Sequence, residues 1–213
     1  PKGLKSVVCT PQESDEFDQV ALGLQWQWHG NVQPEWYYID PRDGGRIRLF
    51  ADDWHAPAQS LWDATNLLMQ KIPAPDMKAT SLVRFVPRDK TIGERGGLVV
   101  MGMDYGVLSL EQTAEGLMLT QRICKKAGRG GKEELIASQP MSNNKIYMRV
   151  AIKKGNQCQF YYREDGKKYQ AFGKPFEIRE GKWIGAKVGL YCSRAKSTND
   201  SGWLEAENFI ISK

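Results

Sequence analysis

The 213 residues carry 30 Lys and Arg against 25 Asp and Glu, a formal net charge of +5, and are 41% hydrophobic and 26% charged. That is the balance of one soluble globular domain long enough to bury a sizeable core. No apolar run approaches the roughly 18–20 residues of a membrane span, and the mild, scattered basic excess points away from nucleic acid.

The chain opens on Pro1 rather than Met, so a processed or excised piece of a longer parent is expected. No apolar h-region follows Pro1-Lys2-Gly3-Leu4-Lys5, so this is not a signal peptide. Residues 1–16, with Pro11, Glu13, Asp15 and Glu16, read as a linker leading into a single domain over 17–213.

From there short runs rich in Val, Ile, Leu, Tyr, Phe and Trp recur, separated by Gly, Pro, Asp and Asn. They predict strands over 22–28, 46–50, 67–71, 79–86, 97–103, 106–111, 117–124, 133–138, 145–152, 157–163, 167–172, 186–192 and 203–211. Alternation is plain in Leu82-Val83-Arg84-Phe85-Val86 and from Ile146 to Ile152, which turns one face to a core. Asp165-Gly166 is the leading hairpin signal, with Lys154-Gly155-Asn156 and Glu115-Gly116 behind it. So many strands on short connections cannot share one open sheet without curling or splitting. The predicted fold is all-β: two packed antiparallel sheets in a jelly-roll sandwich.

Other patterns exclude chemistry. Lys125-Lys126-Ala127-Gly128-Arg129-Gly130-Gly131-Lys132 has Lys126 where a phosphate loop needs its first Gly, and reads as a solvated hairpin tip. Cys9, Cys124, Cys158 and Cys192 lie far apart, and with only His29 and His55 no compact zinc set exists. No Gly-x-Ser-x-Gly elbow and no Glu-x-Asp-x-x-Glu strand is present.

The informative residues are aromatic. Trp26, Trp28, Trp36, Tyr37, Tyr38, Trp54 and Trp62 crowd the first third of the chain among Gln25, Gln27, Asn31, Asp52 and Asp53. Within a strand, Trp26 and Trp28 would share one face. Sugars offer C–H faces to rings and hydroxyls to amides and carboxylates, so Trp26, Trp28 and Trp36 are candidate glycan contacts. The competing reading is that they are core.

The run Leu22-Gly23-Leu24-Gln25-Trp26-Gln27-Trp28-His29-Gly30-Asn31, then Trp36-Tyr37, Arg46-Ile47-Arg48-Leu49, Leu61-Trp62-Asp63-Ala64-Thr65-Asn66 and Gly97-Leu98-Val99-Val100 resembles one family of modules. Phe160-Tyr161-Tyr162, Gly185-Ala186-Lys187-Val188-Gly189-Leu190 and Ala206-Glu207-Asn208-Phe209 extend the likeness over about residues 17–212. The family is the concanavalin A-like domain C-terminal to the five-bladed propeller in glycoside hydrolase family 43, mostly β-xylosidases and α-L-arabinofuranosidases.

The resemblance implies an accessory role. Catalytic carboxylates belong to the propeller, and the sandwich lends a loop aromatic, here Trp183, to a pocket for plant cell-wall oligosaccharide. It also implies a periplasmic or secreted parent. Sandwiches of this kind often clamp their termini with Ca²⁺, and Asp15, Asp18, Glu205 and Glu207 are the acids near the two ends; solvated turns are the other reading. Two further function classes stay open: an independent xylan-binding module or lectin, and a sandwich hydrolase with an unrecognised site.

Overall fold

A computed structural model describes residues 12–53, 60–88, 91–196 and 200–213. Its strands are β1 Gln27–Trp28, β2 Tyr37–Asp40, β3 Arg46–Phe50, β4 Asp52–Asp53, β5 Leu68–Lys71, β6 Met77–Val86, β7 Arg95–Met101 and β8 Tyr105–Thr113. They continue as β9 Gly116–Cys124, β10 Glu133–Pro140, β11 Lys145–Lys153, β12 Gln157–Arg163, β13 Gln170–Glu177, β14 Lys187–Arg194, β15 Trp203–Ala206 and β16 Ile210–Ser212. Two short 3₁₀ turns, Pro34–Trp36 and Ala127–Arg129, are the helical elements among the described residues.

The strands form two sheets, as their number predicts, and each has eight strands. The first runs β1-β5-β14-β7-β8-β9-β10 with β4 alongside β14, and the second runs β13-β12-β11-β6-β15-β3-β2 with β16 on β6. All pairings are antiparallel except β4 with β14. In the second sheet Met77, Ala79, Val83 and Phe85 of β6 and Ile146, Met148, Val150 and Ile152 of β11 point into the core. Lys78, Thr80, Leu82 and Arg84 take the other face.

The first sheet is covered on both faces. Leu98 and Val100 enter the core between the sheets. Val99, Met101, Tyr105, Val107 and Tyr191 enter a second apolar cluster with Leu61, Ala64, Leu67 and Ala127. That is why β7 reads as an unbroken apolar run: the segment around Leu61–Leu67 lies across the outer face. The described cysteines, Cys124, Cys158 and Cys192, are free and buried, so they pack as small apolar side chains.

Several boundaries differ from the sequence pattern, each for a local reason. Only Gln27–Trp28 of the expected 22–28 strand pairs, because Trp26 N–H turns back to Gly23 O at 3.1 Å. The expected 203–211 strand splits at Asn208, whose Oδ1 accepts Leu82 N–H at 3.2 Å while its carbonyl accepts the Ser81 hydroxyl at 2.6 Å. Tyr37–Asp40 and Asp52–Asp53 pair without having been expected to. The tightest hairpin is at Thr113–Gly116, paired ends of a two-residue loop with Gly116 at φ 111°. Asp165-Gly166 instead tips the longer connection from Arg163 to Gln170. Of the expected linker, residues 12–16 are described. Asp15 exchanges backbone hydrogen bonds with Phe209 at 2.9 and 2.7 Å, so this stretch is bound into the sandwich.

Candidate functional site

The connection from β13 to β14 carries Trp183 and is fixed at its base by one carboxylate. Arg179 lays its fork on Asp104, Nε to Oδ2 at 2.8 Å and Nη2 to Oδ1 at 2.5 Å. The same Asp104 accepts Lys126 N–H at 2.6 Å, and Met103 N–H reaches Glu180 O at 3.1 Å. The Arg179 bonds, aided by Lys126 and opposed by burial, hold the Asp104 carboxyl below the usual carboxylate range. Gly102 is required here, because a Cβ at this position would strike the Arg179 carbonyl.

Beyond this anchor the loop rises from the sheet. Trp183 is 86% exposed and Ile184 46% exposed. They border a cleft of about 290 Å³ lined by His29, Trp62, Met69, Met101 and Lys187 together with the loop backbone. His29 Nε2 donates to the Trp62 carbonyl at 3.0 Å and its ring meets Trp62 edge-on, with centroids 5.8 Å apart. Burial pushes the His29 imidazole below its ordinary value, and burial followed by Lys71 does the same for the Lys187 ammonium. No carboxylate is among the described lining residues. Glycoside hydrolysis needs two carboxyl groups flanking one bond, so the cleft as described can hold an apolar or sugar face but cannot itself supply that acid and base.

Carboxylates do occur on the same face of the first sheet, but they are committed. Arg95 grips Glu133 at 2.5 and 3.0 Å, and Tyr105 donates to Glu133 at 2.6 Å while accepting Leu61 N–H at 3.1 Å. Arg122 forks onto Glu111 at 3.1 and 3.0 Å, and Thr120 donates to Glu111 at 3.0 Å. Burial raises the Glu133 carboxyl, yet the Arg95 charge and its hydrogen bonds outweigh it and leave the group below its ordinary value. Acids locked in this way to guanidinium groups are structural. Through Tyr105, Glu133 pins Leu61 to the sheet, and with it the segment that carries Trp62 to one wall of the cleft.

The other aromatics singled out in the sequence lie elsewhere. Trp26 is 8% exposed, stacks on Phe17 and meets Phe209 edge-on, and its indole N–H bonds Asp15 Oδ2 at 2.7 Å. Trp36 is 5% exposed. Both are core side chains, because the turn before β1 folds the first inward and the Pro34–Trp36 turn buries the second. Trp28 is half-buried, with its ring 5.4 Å from Trp36 and 5.2 Å from Tyr37. Trp54 and His55 lie outside the described residues.

The terminal acids do not converge as a cation site. Asp15 accepts from Phe17 N–H, Gln25 and Trp26; Asp18 bonds Gln19; Glu205 pairs with Arg48; Glu207 pairs with Lys145. Among the described residues no group of three or more His, Cys, Asp or Glu could hold a metal ion. These residues therefore do not fit a shared Ca²⁺. No helix among them is long and apolar enough to cross a membrane.

The two-sheet sandwich has counterparts among known proteins. The sequence profile of the β-xylosidase C-terminal concanavalin A-like domain matches residues 14–210. The chain belongs to that family. It is 25% identical over 228 residues to a β-xylosidase of Formosa agariphila, a match covering 95% of this chain and 35% of the relative. A solved xylan β-1,4-xylosidase of Bacillus halodurans superposes with a TM-score of 0.81 at 17% identity, covering 100% of this chain and 41% of that one. A solved glycoside hydrolase family 43 protein of Bacillus licheniformis gives 0.78 at 22% identity, covering 96% and 40%. The two solved structures speak to the fold. The chain thus spans about a third of the curated relative's length.

Trp62 and His29 were not among the residues the sequence singled out as sites. Their neighbours Leu61 and Leu67 carry an apolar signal, but nothing in the spacing brings that segment beside a loop more than a hundred positions away.

Proposed function

We propose that this domain is the accessory sandwich of a glycoside hydrolase acting on xylan- or arabinan-type plant polysaccharide. In this reading it packs on a five-bladed catalytic propeller of the same parent chain. The parent works in the periplasm or outside the cell, where cell-wall oligosaccharide is met. Trp183 reaches from its anchored loop toward the substrate pocket, while Trp62, Ile184 and the cleft beside them receive the catalytic domain.

The single observation that carries this is an almost fully exposed Trp183 next to an apolar cleft with no carboxylate. A large apolar side chain held out on a rigid base is what a partner surface or a sugar ring would cover. The burial of Trp26 and Trp36 weakens the alternative of an independent glycan-binding module, which needed them as a stacking platform.

The test is enzymatic. The purified 213-residue chain should leave aryl β-xylosides and aryl α-L-arabinofuranosides unhydrolysed. Turnover that survives purification and vanishes when one of the chain's own acids is mutated would overturn the accessory role.

A further inference from the structure

The mild net charge of the sequence hides a local concentration. On the outer face of the second sheet the alternation of β6, β11 and β12 brings Lys78, Arg84, Tyr147, Arg149, Tyr161 and Arg163 to one side. Register pairs Tyr147 with Arg163 and Arg149 with Tyr161 across adjacent strands. The guanidinium of Arg163 lies 3.6 Å from the centre of the Tyr147 ring, and that of Arg149 lies 3.7 Å from the centre of Tyr169. Arg149 Nε is further fixed by donating to Thr80 Oγ1 at 2.9 Å.

What the face lacks is as informative. Arg48 and Lys145 on the same sheet have Glu205 and Glu207 as partners. Among the described residues Arg84, Arg149 and Arg163 make no ion pair with a carboxylate. The two stacked guanidiniums are therefore held flat, with hydroxyl partners (Thr80 for Arg149, Tyr147 and Tyr169 for Arg163) and no acid on them. A planar fork of this kind matches a carboxylate in two parallel hydrogen bonds. The diagonal between Arg149 and Arg163 spans about 7–8 Å of sheet, so neighbouring sites on one polymer can reach both.

We infer that this outer face binds a uronate-bearing polysaccharide, with Arg149 and Arg163 as carboxylate forks and Arg84 and Lys78 adding charge. Tyr161 lies opposite Arg149 in register, two residues before Arg163 on the same strand, and offers a sugar-sized apolar surface. Tyr147 and Tyr169 are each covered by a guanidinium, and duplex DNA is the competing polyanion in the test below. The choice of a polysaccharide among carboxylate polymers rests on the accessory-domain reading. The site itself is separate from Trp183, which projects from the connection to β14 in the other sheet.

Affinity electrophoresis of the 213-residue chain through polygalacturonate, its methyl ester and neutral arabinoxylan tests this. Retardation should occur in polygalacturonate, weaken with added salt and be absent in the ester, which keeps the sugar and removes the charge. The paired variant Arg149→Gln/Arg163→Gln should bind at least ten-fold more weakly with an unchanged circular dichroism spectrum. Arg163→Lys, which keeps charge without the fork, should fall between. Trp183→Ala should bind as the parent does, so failure here leaves the Trp183 role standing and the reverse. The inference is overturned by no retardation, by equal retardation in the ester, or by undiminished binding of the paired variant. Tighter binding to duplex DNA lost in the same variants, or self-association through this face in sedimentation, would likewise overturn it.

Discussion

Trp26 donates its indole N–H to Asp15 Oδ2 at 2.7 Å, in a corner where both are buried. The sequence suggested a glycan contact for the first residue and a cation ligand for the second. In the fold they satisfy each other, and Phe17 N–H adds a further bond to the same carboxylate at 2.8 Å.

Removing that carboxylate leaves two buried donors without an acceptor, each costing about 1–3 kcal/mol. Asp15→Ala should therefore lower unfolding stability by roughly 2–6 kcal/mol in urea titrations. Because the carboxylate is already committed, adding Ca²⁺ or a chelator should leave the parent's midpoint unchanged.

The Arg95–Glu133 pair should be a larger determinant. Taking one partner from a buried pair costs about 3–5 kcal/mol, so Glu133→Ala should lose that much, a large share of a domain's usual margin. The pair also sets an acid limit. The folded Glu133 value lies below its ordinary 4.5, so its contribution is complete above that pH and is lost as pH falls through the depressed value. Urea midpoints followed from pH 7 to pH 3 should decline more steeply for the parent than for Glu133→Gln.

Asp104 should govern the Trp183 loop rather than the whole domain. Arg179 is about half exposed, so solvent screening makes the pair a modest contributor to global stability. Asp104→Asn should leave the unfolding midpoint nearly unchanged while speeding amide exchange over residues 179–184. Equal exchange in both proteins would mean that something other than this carboxylate holds the loop.

How much of this was legible in the sequence follows from the range of each interaction. Alternation from Leu82 to Phe85 and from Ile146 to Ile152 announces strands because the side-chain period is local. The sandwich follows from counting such runs, and the family motifs placed Trp183 on the loop where it is found exposed. Trp26 and Trp36 could not be read the same way. Whether a Trp near a strand end faces core or solvent depends on Phe209, nearly two hundred positions away, and on the turn at Gly23. The guanidiniums without an acid partner were equally hidden, because Arg84, Arg149 and Arg163 gather only through strand register.

The most direct test of the central claim is kcat/KM of a protein carrying both this domain and the proposed catalytic propeller, with Trp183→Ala compared with the parent on a short aryl glycoside. Trp183 is exposed, so the unfolding midpoint of the variant should match the parent's within about 0.5 kcal/mol. The efficiency should fall by about ten-fold or more, equivalent to about 1.4 kcal/mol of transition-state stabilisation. Unaltered efficiency, or a loss that merely tracks unfolding, would contradict a role for Trp183 at the substrate.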